Sequence, residues 1–144
     1  MVPPTGDGGS PAPIDRPILE FLQSRLQATQ QVDQTTITDA SGHLELQVTF
    51  APSYYPATVE EATLMVRWYT NDDFKLHYRE VHSDHARECR WDRHPNPHNT
   101  RDHFHPLPTA PTPGEDASWP DDYRDVLSLV LDEVENHIVE LWNE

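Results

Sequence analysis

The sequence is short of three features, and each absence excludes something. Its one cysteine, Cys89, excludes an intramolecular disulfide. Because Cys89 lies in a strand-like pattern, we interpret it as a small buried apolar residue rather than a nucleophile. No apolar run approaches the ~20 residues of a transmembrane helix, and no secretory signal pattern is present. We therefore expect a cytoplasmic protein without a membrane partner.

Basic residues are also scarce. The chain has 25 Asp and Glu against 10 Lys and Arg, of which only Lys75 is a lysine, and its net charge is −15. Carboxylates hold hydration in concentrated salt, so this composition resembles that of extreme halophiles, and we expect a halophilic archaeon as the source. Such a surface repels phosphate at long range. At molar salt the Debye length is about 3 Å, so a charged ligand must be held by close hydrogen-bonded contacts.

The length of 144 residues predicts one domain. Residues 1–13 are rich in Pro and Gly and have no apolar periodicity, which predicts a disordered tail. Residues 14–144 then form a single α+β domain. A first helix is predicted from an Asp15 cap to near Thr29, and a last helix from a Ser118 cap to the end of the chain.

Period-two alternation predicts about five strands between the helices. They cover residues 32–39, 43–50, 62–70, 74–82 and 86–92. We expect an antiparallel sheet with both helices packed on its apolar face and a long Pro/His-rich functional loop over residues 92–115. The other face is polar, and we expect Arg67, His77 and Arg79 to project from it toward the loop and complete a cleft.

Residues 90–105 form the most informative segment. They contain four of the nine histidines, three arginines and two aspartates. Residues 87–105 carry a net charge of +1, from four arginines and three acids, within a chain of −15. A local island of Arg and His in an acidic protein indicates a site, and three interpretations of it stay open.

The first interpretation is a metal site. Its candidate ligands are His94, His98, His103 and His105, spaced H-x3-H-x4-H-x-H. Imidazole suits zinc, copper or nickel, and three histidines with water would make a catalytic zinc site. No cysteine pairs with these histidines, and no HExxH helix is present.

The second interpretation is phosphodiester chemistry without a metal. Histidine can supply both the base for an RNA 2′-hydroxyl and the acid for the leaving 5′-oxygen, and Asp can orient a histidine. Asp92 with His98, His103 and His105 supplies these groups. Arg binds phosphate oxygens in a two-pronged grip. The candidate substrate-binding residues are Arg67, Arg79, Arg90, Arg93 and Arg101.

The third interpretation is structural. Asp92 and Asn96 can cap backbone groups of a tight loop, in which the His and Pro side chains stack. For any single residue of the segment, this interpretation is as good as a catalytic role. The four His and three Arg side chains within sixteen residues are harder to explain together in that way.

The pattern Arg90-x-Asp92, a following histidine near a proline (His98), and His103-x-His105 resembles the signature of the TumE-type toxin family of prokaryotic toxin–antitoxin systems. The resemblance covers about residues 62–144. It implies consecutive antiparallel strands, an acidic final helix and a ribonuclease-like activity. It also implies neutralisation by a helix-turn-helix antitoxin encoded next door.

The sequence departs from that signature in two ways. Arg93 stands where the family often has Asn, and an N-terminal helix and hairpin precede the matching region. From the residues and the resemblance together, we expect a small RNA-cleaving toxin that works without a cofactor and is bound by an antitoxin. Exposed sheet edges also allow a homodimer. The alternative is a non-catalytic anion- or metal-binding module of a halophilic archaeon, with zinc as the metal.

Overall fold

The computed structural model describes residues 12–40, 42–95 and 101–144. Its centre is one antiparallel sheet of seven strands in which each strand pairs with the next along the chain. Both helices belong to the same hydrophobic core as the apolar face of the sheet. The α+β architecture expected from the sequence is confirmed. The elements are α1 (Arg16–Gln27), β1 (Val32–Ala40), β2 (His43–Phe50), a 3-10 turn (Pro52–Tyr54), β3 (Val59–Trp68), β4 (Phe74–His82), β5 (Ala86–Arg93), β6 (Asp102–His105), β7 (Glu115–Asp116) and α2 (Tyr123–Trp142).

Helix α1 forms where its local signals predict. The carboxylate of Asp15 accepts a hydrogen bond from the backbone N of Ile18 at 3.2 Å, which satisfies one of the donors that a helix start leaves unpaired. Proline in the first turn costs no hydrogen bond there. Spacing of three and four residues then puts three leucines on the buried side: Leu19, Leu22 and Leu26.

Helix α2 begins later than the sequence predicts. Its cap is Asp122, whose side chain accepts from the backbone N of Arg124 at 2.8 Å, so the predicted Ser118 cap is wrong. The reason is tertiary. The backbone N of Trp119 donates to Asp102 on β6 at 2.8 Å, which holds the chain before residue 122 against the sheet rather than in a helical turn.

Strand alternation sorts the side chains as predicted. Over residues 62–68, 74–82 and 89–93 every second residue is buried on the face that packs with α1 and α2, and the residues between them lie on the polar face. Burying one face of the sheet fixes its register, because a shift of one residue would expose the whole apolar set. The core side chains of these strands are Leu64, Val66, Trp68, Phe74, Leu76, Tyr78, Cys89 and Trp91.

The sheet has two more strands than the five predicted. Strand β6 pairs with β5, and the two-residue β7 pairs with β6. Strand β6 lies within residues 92–115, which we expected to form a loop, and β7 begins at the last residue of that range. Strand β6 has four residues, three of them Asp or His, so it lacks the apolar alternation that marks a strand in sequence. It forms because the outer edge of β5 offers unpaired backbone groups to the returning chain.

The predicted tail of residues 1–13 lies outside the described residues except for its last two. Of these, Pro13 accepts a hydrogen bond through its carbonyl from the backbone N of Thr70 at 2.9 Å. His98 also lies outside the described residues. Neither helix of the described chain has the length and apolar content required to cross a membrane.

Candidate functional site

The pairing of β5 with β6 builds the site. Arg90 lies opposite His105, and Asp92 lies opposite His103. Residues two apart on a strand share a face, and directly paired residues of antiparallel strands do too, so all four side chains lie on the polar face. The pairing of β4 with β5 sets His77 opposite Arg90 on this face.

One carboxylate oxygen is the centre of the site. Oδ2 of Asp92 lies 2.8 Å from Nε of Arg90. The same oxygen lies 3.2 Å from Nε2 of His105 and 3.5 Å from Nε2 of both His94 and His103. We call these five residues the Asp92 cluster. The Asp92 side chain is 0% exposed, so a full negative charge is held inside the protein.

A backbone carbonyl fixes the orientation of the His105 ring. Its Nδ1 lies 2.8 Å from the carbonyl oxygen of Pro111, which can only accept a hydrogen bond. Nδ1 therefore carries the proton, and in the neutral ring Nε2 keeps its lone pair. Nη2 of Arg90 lies 3.1 Å from this Nε2 and donates to it. The Arg90 guanidinium thus bridges Asp92 and His105.

His103 lies deepest in the cluster. Its side chain is fully buried, and neither ring nitrogen has a hydrogen-bond partner among the described residues. Its ring lies between those of His94 and His105, with centroids 4.6 and 5.1 Å away. Nδ1 of His94 donates to the carbonyl of Pro95 at 3.0 Å, and Nε2 of the same ring lies 3.5 Å from Oδ2 of Asp92.

The charge balance sets the ionisation state of Asp92. Burial alone would raise the pKa of this carboxyl, because desolvation disfavours the charged form. The three imidazole rings and the Arg90 guanidinium outweigh burial and hold the pKa of Asp92 well below its ordinary value. Asp92 is therefore an anion throughout the neutral range and a strong attractor for cations.

Sequence reasoning missed the segment that supports His105. A Cβ atom added to Gly114 would lie 2.7 Å from the carbonyl oxygen of Phe104 and 3.0 Å from Cε1 of His105. Only glycine allows the chain to pass so close to the ring. The carbonyl of Pro111 comes from the same segment. A glycine that ends a proline-rich stretch was the one available signal of this close approach.

Arg93 lies on the other face of the sheet from Asp92. Its guanidinium donates to both carboxylate oxygens of Asp102, at 2.7 and 3.2 Å, and to the carbonyl of Trp119 at 3.0 Å. It also lies over the ring of Phe74, 5.0 Å from the centroid. These contacts make Arg93 a structural link between β5, β6 and the segment before α2.

The other predicted arginines have their own surroundings. Arg67 shares the polar face and pairs with Glu45, with 3.0 Å between Nη2 and Oε1. Arg101 pairs with Asp73. Arg79 is exposed on the polar face. Within the described part of the chain, Arg90 is the one predicted arginine that contacts Asp92.

One protein-family model matches most of the chain. The family model described as Toxin TumE matches residues 14–138, which is most of the chain. The chain belongs to the TumE toxin family. No curated protein and no solved structure matches it. Since the TumE match begins at residue 14, it includes α1 and the β1–β2 hairpin, which the resemblance over residues 62–144 had left outside. Membership implies a toxin that has an antitoxin partner.

In this TumE-family chain, three members of the Asp92 cluster could hold a metal ion. The ligand atoms of Asp92, His103 and His105 all lie within 4.8 Å of one another, and all three residues are buried. His94 contacts Asp92 but is not one of these three, and His98 lies outside the described residues. The arrangement therefore offers two kinds of chemistry, acid–base chemistry with Arg90 or cation binding.

A second polar cluster lies on the apolar face of the sheet, around Glu80. Glu80 is fully buried. Its carboxylate lies 2.7 Å from Nε2 of His137, 2.8 Å from Nε2 of His82 and 2.7 Å from the hydroxyl of Tyr78. Burial raises the pKa of Glu80, but these three donors outweigh it and lower the pKa to about 2. The cluster links β4 to the C-terminal half of α2.

Proposed function

We propose that the protein is an RNA-cleaving toxin whose metal-independent chemistry is carried out by the Asp92 cluster. The observation that carries the proposal is the bridging Arg90 guanidinium, which holds a buried carboxylate and the lone pair of an oriented histidine at once. The Arg90 side chain is 25% exposed, so it is the part of the cluster that a phosphate group reaches.

The bridge suggests how substrate starts the reaction. A phosphodiester offers Arg90 two oxygens in the geometry that guanidinium prefers. When Arg90 turns from Asp92 to the phosphate, it no longer donates to Nε2 of His105. That nitrogen then has a free lone pair, held in place by the hydrogen bond from Nδ1 to Pro111. Nε2 of His105 accepts the proton of the 2′-hydroxyl, whose oxygen attacks the phosphorus.

The leaving 5′-oxygen needs a proton as its bond to phosphorus breaks. His94 is the most exposed histidine of the cluster, with 14% of its side chain accessible, and its Nε2 faces Asp92. As an imidazolium stabilised by that carboxylate it supplies this proton, so the products are a 2′,3′-cyclic phosphate and a 5′-hydroxyl. His103 is fully buried and is a positioning residue that packs between the other two rings.

RNA cleavage by three variants and a control tests this mechanism. Arg90→Gln, His105→Gln and His94→Gln should each reduce cleavage of a mixed RNA pool in multimolar KCl by at least ~100-fold, with or without EDTA. His43→Gln, on the exposed end of β2, is the control and should cleave as wild type does. Wild-type rates in folded Arg90→Gln would overturn the proposal, and so would complete loss of wild-type cleavage in EDTA.

We also propose that the antitoxin is a cytoplasmic helix-turn-helix protein that docks a basic segment on α2. The outward side of this helix carries exposed acids and no basic residue in its last turn. Co-expression with an adjacent helix-turn-helix gene should yield a complex that Asp132→Lys with Glu135→Lys disrupts. The opposite face of the protein should be unaffected, so Glu61→Lys is the matched control. Equal binding by both variants would exclude this docking face.

A further inference from the structure

We propose that Asp92, His103 and His105 form a binding site for a divalent transition-metal ion of the zinc class, and that this ion competes with Arg90. Zinc is bound at about 2.0–2.1 Å by imidazole nitrogens, so two ligand atoms of a tetrahedral site lie about 3.4 Å apart. Nε2 of His105 and of His103 lie 3.2 and 3.5 Å from Oδ2 of Asp92. The 3.5 Å separation is long for a hydrogen bond, and both separations fit the edges of a metal tetrahedron.

Buried polar atoms of His103 and Asp92 that lack hydrogen-bond partners in the described part of the chain also indicate a bound metal ion. Both ring nitrogens of His103 and Oδ1 of Asp92 lack a hydrogen-bond partner among the described residues and are inaccessible to solvent. A buried polar atom without a partner costs about 1–3 kcal/mol, and native proteins rarely keep several together. A metal ion bound by Nε2 of His103 and by both oxygens of the Asp92 carboxylate would satisfy two of these three atoms.

The surroundings of His105 are those of a metal ligand. Metal-binding histidines usually donate their other N–H to a carbonyl or carboxylate, which fixes the tautomer and aims the lone pair at the ion. Nδ1 of His105 makes this contact with Pro111 at 2.8 Å, and Gly114 allows the supporting segment to approach the ring. Nε2 is therefore directed into the cluster before any ion arrives.

The donor set selects the kind of ion. Two imidazoles and one carboxylate suit zinc, cobalt or nickel, whereas calcium and magnesium require mostly oxygen ligands. Three protein ligands leave a fourth position of the tetrahedron for water or another small ligand.

Arg90 occupies the place that such an ion needs. Its Nε donates to Oδ2 of Asp92, and its Nη2 donates to Nε2 of His105, so it uses two of the lone pairs that would bind the metal. Guanidinium and a divalent cation also repel each other. Metal binding therefore requires Arg90 to leave. Its side chain is 25% exposed, so it can turn to solvent.

Competition makes the metal an inhibitor of the proposed ribonuclease. An ion bound to Nε2 of His105 removes the base, and it displaces Arg90 from its poised position. This consequence rests on the proposed function. The binding of the metal and its competition with Arg90 do not, since both can be measured without RNA.

The test is zinc affinity, measured on the full chain by competition with a chromogenic chelator after removal of bound metal. Wild type should bind one Zn²⁺ per chain. His103→Gln removes a direct ligand of the ion. Loss of a residue that only supports a ligand already costs up to roughly 100-fold in metal affinity, so His103→Gln should weaken zinc binding by more than that. Arg90→Gln should tighten it about tenfold, because a change of 1.4 kcal/mol in the competing interaction is tenfold in affinity.

His85→Gln is the control, because His85 is an exposed histidine between β4 and β5 that pairs with Asp84 instead of Asp92. It should bind zinc as wild type does. Tetrahedral Co²⁺ absorption in wild type, lost in Asp92→Asn, gives a second readout if His103→Gln fails to fold. Absence of zinc binding in wild type and Arg90→Gln would overturn the site, and equal affinity in those two would overturn the competition.

RNA cleavage separates this inference from the proposed function. Inhibition by zinc in wild type supports both, whereas stimulation by zinc overturns the inhibitory consequence. Zinc binding with the predicted variant pattern, in a protein that cleaves no RNA, would overturn the ribonuclease and leave the metal site supported.

Discussion

Arg90 and Asp92, two residues apart on β5, are joined by a hydrogen bond of 2.8 Å from Nε to Oδ2 on a fully buried carboxylate. Neither group can engage a ligand fully until this internal ion pair opens. Phosphate opens it by competing for Arg90, and a metal ion opens it by competing for Asp92. Both proposals for this protein therefore depend on the same contact.

The first prediction concerns the stability that Asp92 provides. Asp92→Asn keeps the shape of the side chain but removes the charge that balances Arg90 and the histidines. Removing one partner of a buried ion pair is strongly destabilising, and since Arg90 can turn to solvent we expect a loss of about 2–4 kcal/mol. Urea unfolding of the metal-free protein measures it.

Glu20→Gln is the control for this change, because Glu20 pairs with Arg16 on the surface, with both side chains 56% exposed. Its effect should stay within about 0.5 kcal/mol. Equal midpoints for Asp92→Asn and wild type, at equal m-values, would show that the buried charge contributes no stability.

The second prediction compares two glycines. Gly114→Ala brings a Cβ to 2.7 Å from the carbonyl of Phe104 and 3.0 Å from His105, so the supporting segment must shift and the His105 ring with it. We expect zinc affinity and RNA cleavage to fall at least ~10-fold, since small displacements of reacting groups are costly.

Gly42→Ala is the matched control for this pair. Gly42 has a φ of +77° and no neighbour within 4 Å, so an alanine there meets backbone strain but no clash. It should lose about 1 kcal/mol of folding stability and keep the site intact. An unchanged site in Gly114→Ala would mean that the segment yields without moving His105.

The third prediction separates the two arginines at the end of β5. Arg93→Lys loses the two-pronged contact with Asp102 and the stacking on Phe74, for which lysine is a poor substitute. We expect a loss of about 2 kcal/mol in the free energy of unfolding. Once folded, this variant should keep wild-type zinc affinity, because Arg93 lies on the other face from Asp92. A changed affinity would indicate coupling across the sheet.

The fourth prediction is a pH dependence that comes from Glu80. Its pKa in the folded chain is about 2, against an ordinary value of 4.5, because His82, His137 and Tyr78 donate to the carboxylate. A lowered pKa stabilises the fold above pH 4.5, and this stabilisation is lost as the pH falls from 4.5 to 2.

The variant Glu80→Gln isolates that contribution from other carboxylates. It should be less stable than wild type by on the order of 3 kcal/mol at pH 6, with the difference shrinking toward zero near pH 2. Urea unfolding of both chains at several pH values gives the difference directly. A constant difference from pH 6 to pH 2 would exclude the titration of Glu80 as its source.

The fold could be predicted from the sequence where its signals are local. Asp15 and the leucines of α1 lie within a few residues of one another, and alternation along β3, β4 and β5 sorts polar from apolar side chains. The start of α2 could not be predicted, because the contact of Trp119 with Asp102 joins residues 17 apart in sequence.

The candidate site could be predicted only in part, as a group of residue types. Arg90, Asp92, His103 and His105 were chosen for their chemistry, and their alternation already allowed a common face. Arg93 was grouped with them as one of the arginines that could bind phosphate, and β5 was expected to end at Asp92. One further residue of strand puts Arg93 on the face of Trp91, where it binds Asp102.

The sequence by itself determined the alternation, the Asp15 cap of α1 and the presence of a His- and Arg-rich segment, because each depends on neighbours in the chain. Only the tertiary structure decided that β6 pairs with β5 in the register that sets His103 opposite Asp92 and His105 opposite Arg90. That register depends on backbone hydrogen bonds between β5 and β6, which are not adjacent in the chain, and a shift of one residue would turn both histidines to the other face.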